Sequence, residues 1–219
     1  MSYEIDIRDV NLEMKVPASK SVLHRQLIVN FLLQSVNGTL EPEVADLITT
    51  PLEGDNQDII ATRGCLKALY EAAAGICPTG DVILPCNESG STLRFMISVG
   101  IAYLNFKGLA TSHRLVFTPK GRLINRPLDQ LVDCLAAHNV SVEIDKDNEI
   151  LIVKGNMTSG DYEIEGNVSS QYISGLIMAS IVMKDSRIVL KGILESSGYV
   201  DLTTDCLKSK GIALDVHSI

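Results

Sequence analysis

A long-range recurrence constrains this chain more than any other feature. Three short Ser-rich motifs each open an apolar, helix-like run: Ala18-Ser19-Lys20-Ser21, Glu88-Ser89-Gly90-Ser91-Thr92 and Val168-Ser169-Ser170-Gln171. The runs they open are Val22 to Leu33, Leu93 to Leu104 and Tyr172 to Met183. Ser89 follows Ser19 by 70 residues, and Ser169 follows Ser89 by 80. Solenoid repeats run about 20 to 50 residues, so this spacing points instead to a globular domain with internal pseudo-three-fold symmetry.

A second helix with 3.6-residue periodicity follows each opener: Asn56 to Leu69, Arg126 to His138 and Tyr199 to Lys210. In the third, Val200, Leu202, Thr203, Cys206 and Leu207 form one stripe. Two of these helices end alike. Each has Asn139 or Gly211 in the turn and then an alternating strand, Val140 to Ile144 or Ile212 to Val216. Further strands are expected at Tyr3 to Ile7, Leu12 to Val16, Arg114 to Thr118, Glu149 to Val153, Tyr162 to Glu165 and Arg187 to Leu190. The fold class is therefore mixed α/β (α+β). Ser-opened helices with few charges are expected inside. Alternating strands are expected in outer sheets with one wet face.

Composition excludes several functions. With 19 basic against 27 acidic residues and a net charge of −8, a global attraction to nucleic acid or anionic membrane is not expected. No apolar run reaches the roughly 18 residues of a membrane helix. Met1 to Val10 alternates in charge and lacks an apolar signal core, so a cytoplasmic location is expected. The five cysteines, at 65, 77, 86, 134 and 206, form no C-x-x-C pair. A structural zinc site is not expected, and Cys65, Cys134 and Cys206 read as core thiols.

The polar motifs all fall at helix starts, where free N–H groups and the helix dipole favour anions. Lys20, Arg25, Arg94, Arg122 and Arg126 stand close to them in sequence. Taken singly, each Ser is most simply an N-cap. Asp58 reads as a complement to a helix dipole. His24, His113, His138 and His217 form no spaced pair and read as structural or exposed. Together the motifs describe an anion-binding face on an acidic protein, suited to small phosphorylated or carboxylated ligands.

The order of the motifs resembles the 5-enolpyruvylshikimate-3-phosphate synthase family. Pro17-Ala18-Ser19-Lys20-Ser21-Val22-Leu23-His24-Arg25 is similar to its substrate motif, and Asn87-Glu88-Ser89-Gly90-Ser91-Thr92-Leu93-Arg94 to its Gly-rich motif. Leu123-Ile124-Asn125-Arg126-Pro127-Leu128 is similar to its Arg-Pro element. Ser169-Ser170-Gln171 and Ser196-Ser197-Gly198-Tyr199-Val200-Asp201 complete the series. Three positions depart: Ala18 stands for the usual Gly, His24 for Asn, and Glu88 for Asn.

The resemblance implies repeated βαβαββ units with helices inside and sheets outside. It implies transfer of the enolpyruvyl group of phosphoenolpyruvate to shikimate 3-phosphate, with no cofactor. By resemblance, Lys20, Ser21, Arg25, Ser169, Ser170, Gln171, Ser196 and Tyr199 hold shikimate 3-phosphate. Lys20, Gly90, Arg126 and Gln171 contact phosphoenolpyruvate, Arg94 supports that loop, and Lys20 is the candidate catalytic residue. The family runs to about twice this length in two domains, so the resemblance covers an N-terminal half. It implies an arm over 1–16 that pairs with the second domain, and a domain over 17–219 whose turnover needs that C-terminal half. Two rivals are a non-catalytic binding or assembly domain and the enolpyruvyl transferase acting on UDP-N-acetylglucosamine, which has Lys-Asn where this chain has Lys20-Ser21.

Overall fold

A computed structural model describes residues 19–77 and 80–213. The expected strands at Tyr3 to Ile7 and Leu12 to Val16, the arm they form, Pro17, Ala18, His217 and the end of the strand at Ile212 to Val216 lie outside the described residues. The chain opens with three helices, α1 (Lys20–Val36), α2 (Pro42–Thr49) and α3 (Gln57–Ala73). Then come β1 (Asp81–Asn87), α4 (Gly90–Phe106), β2 (Arg114–Pro119), a 3-10 turn over Gly121–Asn125, α5 (Asp129–Ala136), β3 (Val140–Asp145) and β4 (Ile150–Gly155). The last elements are β5 (Gly160–Glu165), α6 (Ser170–Ala179), β6 (Ser186–Lys191) and α7 (Ser197–Lys208). From β1 to β4 the order is βαβαββ, and β5 to α7 repeats its first four elements.

The strands form two sheets. One has the order β1-β2-β4-β3, with β1 parallel to β2 and the other pairs antiparallel. The other pairs β5 with β6 in parallel. Each parallel pair is joined through one helix, α4 or α6, as a parallel crossover requires. The helices pack on one another behind the sheets: α4 against α6, α6 against α7, and α1 against α3 and α7.

Burial explains that layering. α4 has a single charged residue, Arg94, and buries residues on every side from Leu93 to Leu104. Glycines set its closest approaches. A Cβ on Gly175 of α6 would stand 3.2 Å from the Arg94 carbonyl oxygen and 3.3 Å from Phe95 Cα. The helix backbones therefore meet with no side chain between them. Phe31, Phe95, Tyr103, Phe117 and Tyr162 are the bulkiest fully buried side chains, and each apolar one contributes about 1.5–3 kcal/mol. Cys65, Cys134 and Cys206 are free and buried, as expected.

Several elements differ from the sequence reading. The expected helix over Arg126 to His138 starts only at Asp129, because Pro127 holds its predecessor extended and Arg126 sits at ψ 137°. Strand β1 was absent from the expectation because Pro85 interrupts its pattern. Pro85 is tolerated because β1 lies at a sheet edge and its register shifts between Leu84 and Asn87. The eight-residue helix α2, which buries Ala45, Ile48 and Thr49, was not among the expected elements. The Ser-opened helices start where expected, at α1, α4 and α6, but α6 ends at Ala179 and not at Met183.

Candidate active site

The starts of α1, α4, α6 and α7 meet around one cleft of about 330 Å³. That volume suits a small molecule. Ser21, Arg25, Ser169, Ser170, Gln171, Ser196 and Tyr199 line it, together with His24, Ser91, Phe95 and Glu195. Seven predicted shikimate-side residues, drawn from three distant stretches of chain, thus share one wall.

Arg25 dominates that wall. It is 2% exposed and lies over the Phe95 ring, 5.1 Å from its centroid. Its Nε donates to Thr203 Oγ1 at 2.6 Å, and Nη1 to the Ser21 carbonyl at 2.7 Å. Its Nη2 donates to the Tyr199 carbonyl at 3.0 Å and to Ser174 Oγ at 3.2 Å. No carboxylate pairs with it among the described residues. Burial lowers its pKa from the ordinary value, but a guanidinium keeps its charge. The result is a desolvated cation oriented entirely by neutral oxygens.

A second cationic group adjoins the cleft. Gln171, from the start of α6, accepts from Arg94 Nη1 at 2.6 Å and donates through Nε2 to Ser91 Oγ at 2.8 Å. It thereby ties α6 to the start of α4. A Cβ on Gly90 would lie 3.6 Å from Arg94 Nη1 and 3.6 Å from Arg126 Nη1. Two guanidiniums therefore converge over the one residue there without a side chain. Tyr172 carries Arg94 over its ring at 5.8 Å and donates through Oη to the Pro127 carbonyl at 2.6 Å. That bond holds the loop that presents Arg126. The exposed Arg126 side chain makes no hydrogen bond or ion pair among the described residues.

Lys20 stands at the first position of α1 and pairs with Asp58 in the first turn of α3. Partial burial works to raise the Asp58 pKa, but the Lys20 ammonium and the Ser89 hydroxyl outweigh it and hold the carboxyl below its usual range. Ser89, not Glu88, caps α4, accepting from the Thr92 N–H at 3.2 Å. Glu88 instead lies by Gly121, its Oε1 3.4 Å from the place of a Cβ there. Gly121 has φ 61°, a left-handed backbone that suits glycine. Ser196, at the head of α7, has φ 57° without being glycine, a strained backbone of the kind found at functional sites.

Residues 6–218 match the family model of EPSP synthase (3-phosphoshikimate 1-carboxyvinyltransferase). The chain belongs to the EPSP synthase family. Among curated relatives, the 3-phosphoshikimate 1-carboxyvinyltransferase of Clostridium novyi is 30% identical over 226 residues, covering 94% of this chain and 48% of the relative. That of Clostridium kluyveri is 30% identical over 222 residues, covering 100% of this chain and 50% of the relative. That of Clostridium perfringens (strain ATCC 13124) is 29% identical, covering 92% and 46%. The chain spans about half the length of the curated relatives it matches.

Of the site residues expected from the sequence, Lys20, Gly90, Arg94 and Arg126 do not line the cleft; Lys20 precedes Ser21, Gly90 precedes Ser91, and Arg94 meets Gln171. Sequence reasoning missed the buried polar partners, Ser174 and Thr203 on Arg25 and Thr62 and Thr92 beneath His24. Their signal was present: each is a hydroxyl inside an otherwise apolar helical stripe, and a buried hydroxyl needs a partner. His24 is buried, as a structural histidine would be, but it also borders the cleft. Among the described residues, no cluster of three or more His, Cys, Asp or Glu could hold a metal, and no helix is long and apolar enough to cross a membrane.

Proposed function

We propose that this chain is the N-terminal domain of an enolpyruvyl transferase of the shikimate pathway, located in the cytoplasm. The reaction moves the enolpyruvyl group of phosphoenolpyruvate to the 5-hydroxyl of shikimate 3-phosphate. Arg25 is the observation that carries this reading. A buried guanidinium with no counter-charge is completed by an anion arriving in the cleft it faces. Ser21, Ser169, Ser170, Gln171, Ser196 and Tyr199 offer the hydroxyl, amide and phenol groups that a polyhydroxylated phosphate ester needs.

Arg94 and Arg126, converging over Gly90 at a helix start, form the phosphoenolpyruvate side, with Gln171 between the two ligands. Lys20 reaches both, its ammonium oriented by Asp58. The reaction protonates the methylene carbon while the 5-hydroxyl adds to the adjacent carbon. The tetrahedral intermediate then loses phosphate and a proton. Positive charge in this half positions the anions. By resemblance, the carboxylates that move protons belong to the C-terminal half of the relatives. The remaining proposals are a pseudo-three-fold domain over 17–219 and an arm over 1–16 that pairs with the second domain.

Isothermal titration of the chain with shikimate 3-phosphate tests the reading. Weak binding is expected of residues 1–219 taken alone, with Kd on the order of millimolar, because the relatives' other half is not there to enclose the ligand. A folded chain that shows no binding at several millimolar ligand refutes it.

A further inference from the structure

His24 is the buried titratable group that the anion-binding reading leaves without a task. It is 1% exposed, and its Nδ1 lies 2.7 Å from Thr62 Oγ1 on α3. From Thr62 the contacts run to Thr92 Oγ1 at 2.9 Å, and from Thr92 to Ser89 Oγ at 2.7 Å. Thr62 and Thr92 each reach the Asp58 carbonyl oxygen at 3.2 Å, and the Asp58 carboxylate holds Lys20. A connected set of polar groups therefore leaves α1 at His24, crosses α3 and the cap of α4, and returns to α1 at Lys20. Thr62, Thr92 and Ser89 are all buried, so water does not compete for these bonds.

Proton bookkeeping assigns the imidazole tautomer. The Thr62 hydroxyl has one proton, with the Asp58 carbonyl, Thr92 Oγ1 and His24 Nδ1 all within reach. His24 Nε2 has no partner among the described residues, so a ring proton there would be an orphaned donor, costlier than a bare lone pair. The 2.7 Å contact between the same oxygen and His24 is then donated by Nδ1–H. Burial keeps the ring neutral, lowering its pKa from 6.5 to about 4 against the opposing charge of Asp58. Nε2 is left as a bare lone pair, and that atom is buried with no partner among the described residues.

We infer that His24 is a positioning residue, whose Nδ1–H heads a hydrogen-bond relay through Thr62, Thr92 and Ser89 that locks the start of α1 to the starts of α3 and α4. The relay sets Lys20 and Ser21 at a fixed separation from Gly90 and Ser91. Its effect on ligand rests on the function proposed above, whereas the relay itself does not. An Asn at position 24 would put a side-chain amide within reach of Thr62 and could keep that bond.

The test has two arms. In the ¹⁵N-labelled chain at neutral pH, the two-bond imidazole spectrum should show His24 protonated on Nδ1. Protonation on Nε2 overturns the relay. In the second arm, shikimate 3-phosphate is titrated into the wild type, His24→Asn, His24→Leu and Thr62→Val, each checked for a cooperative melt. The Asn variant should bind like the wild type. The Leu and Val variants should bind about tenfold more weakly, the equivalent of one hydrogen bond. Unchanged binding by folded Leu or Val variants, or failure of the folded Asn variant, overturns the inference. If the wild type does not bind at all, the proposed ligand is wrong and the nitrogen spectrum alone decides the relay.

Discussion

Arg25 is held by Thr203, Ser174 and the carbonyls of Ser21 and Tyr199, none of which cancels its charge. Truncation to Ala should therefore weaken shikimate 3-phosphate binding by about 1.5–3 kcal/mol, the range for a hydrogen bond to a charged group. It should also lower the melting temperature, because the Ser21 carbonyl loses its guanidinium donor and the buried side chain leaves a cavity beside Phe95. Calorimetry and thermal melts of one variant read both effects. His24 makes a separate prediction about pH. Its pKa is 6.5 when unfolded and about 4 when folded, so between those values the unfolded chain binds the extra proton. The His24 contribution to stability is complete above about pH 6.5 and is lost as pH falls toward 4. The loss amounts to roughly 3 kcal/mol at most. Urea midpoints between pH 7 and pH 4.5 should fall less steeply in His24→Asn. An equal fall would place the acid sensitivity elsewhere.

At the scale of elements, the site depends on how closely α4 and α6 approach. Gly175 gives that approach, and its neighbours there are backbone atoms of a buried helix, which cannot move aside. Ala would gain about 1 kcal/mol of helix propensity. Overpacking costs about 1–3 kcal/mol, so Gly175→Ala should be destabilising or at best neutral. It should also separate Arg94 from Gln171 and weaken phosphoenolpyruvate binding more than a melt alone suggests. Gly90→Ala is the contrasting case. Its Cβ would meet only ordinary contacts at 3.6–3.7 Å, two of them guanidinium nitrogens, so the fold should be unaffected. The methyl group would fill the space where the two guanidiniums converge, and the affinity for phosphoenolpyruvate should drop. The two variants together separate helix packing from site occupancy.

On the scale of the molecule, a chain of net charge −8 concentrates Lys20, Arg25, Arg94 and Arg126 around one set of helix starts. Taken without the relatives' other half, the cleft over residues 1–219 faces water, where each charge interaction is screened. Binding of shikimate 3-phosphate should weaken markedly between 0.02 and 0.3 M salt, roughly as the Debye length shrinks. Residues 1–219 alone should release no phosphate from shikimate 3-phosphate and phosphoenolpyruvate. A second chain supplying the relatives' other half should restore release if the two associate. Turnover by this chain alone would remove the need for a second wall and make Glu88, Glu195 or Lys20 the acid/base group.

What the amino-acid order determined was everything that depends on short spacing. The apolar runs of α1, α4 and α6 and the 3.6-residue stripes of α3, α5 and α7 were readable, as were the alternation of β2 to β6 and the Ser, Gly and Arg signatures at helix starts. These reflect the backbone and its immediate neighbours. Strand β1 escaped because Pro85 obeys a sheet-edge rule that exists only once the sheet does. Tertiary structure alone decided which polar groups became partners. Ser174 and Thr203 meet Arg25 from positions 149 and 178 residues away, and Thr62 meets His24 from 38 away. No local pattern encodes such pairings. They arise because a buried cation or hydroxyl must be satisfied by whatever the packed helices bring within 3 Å or so.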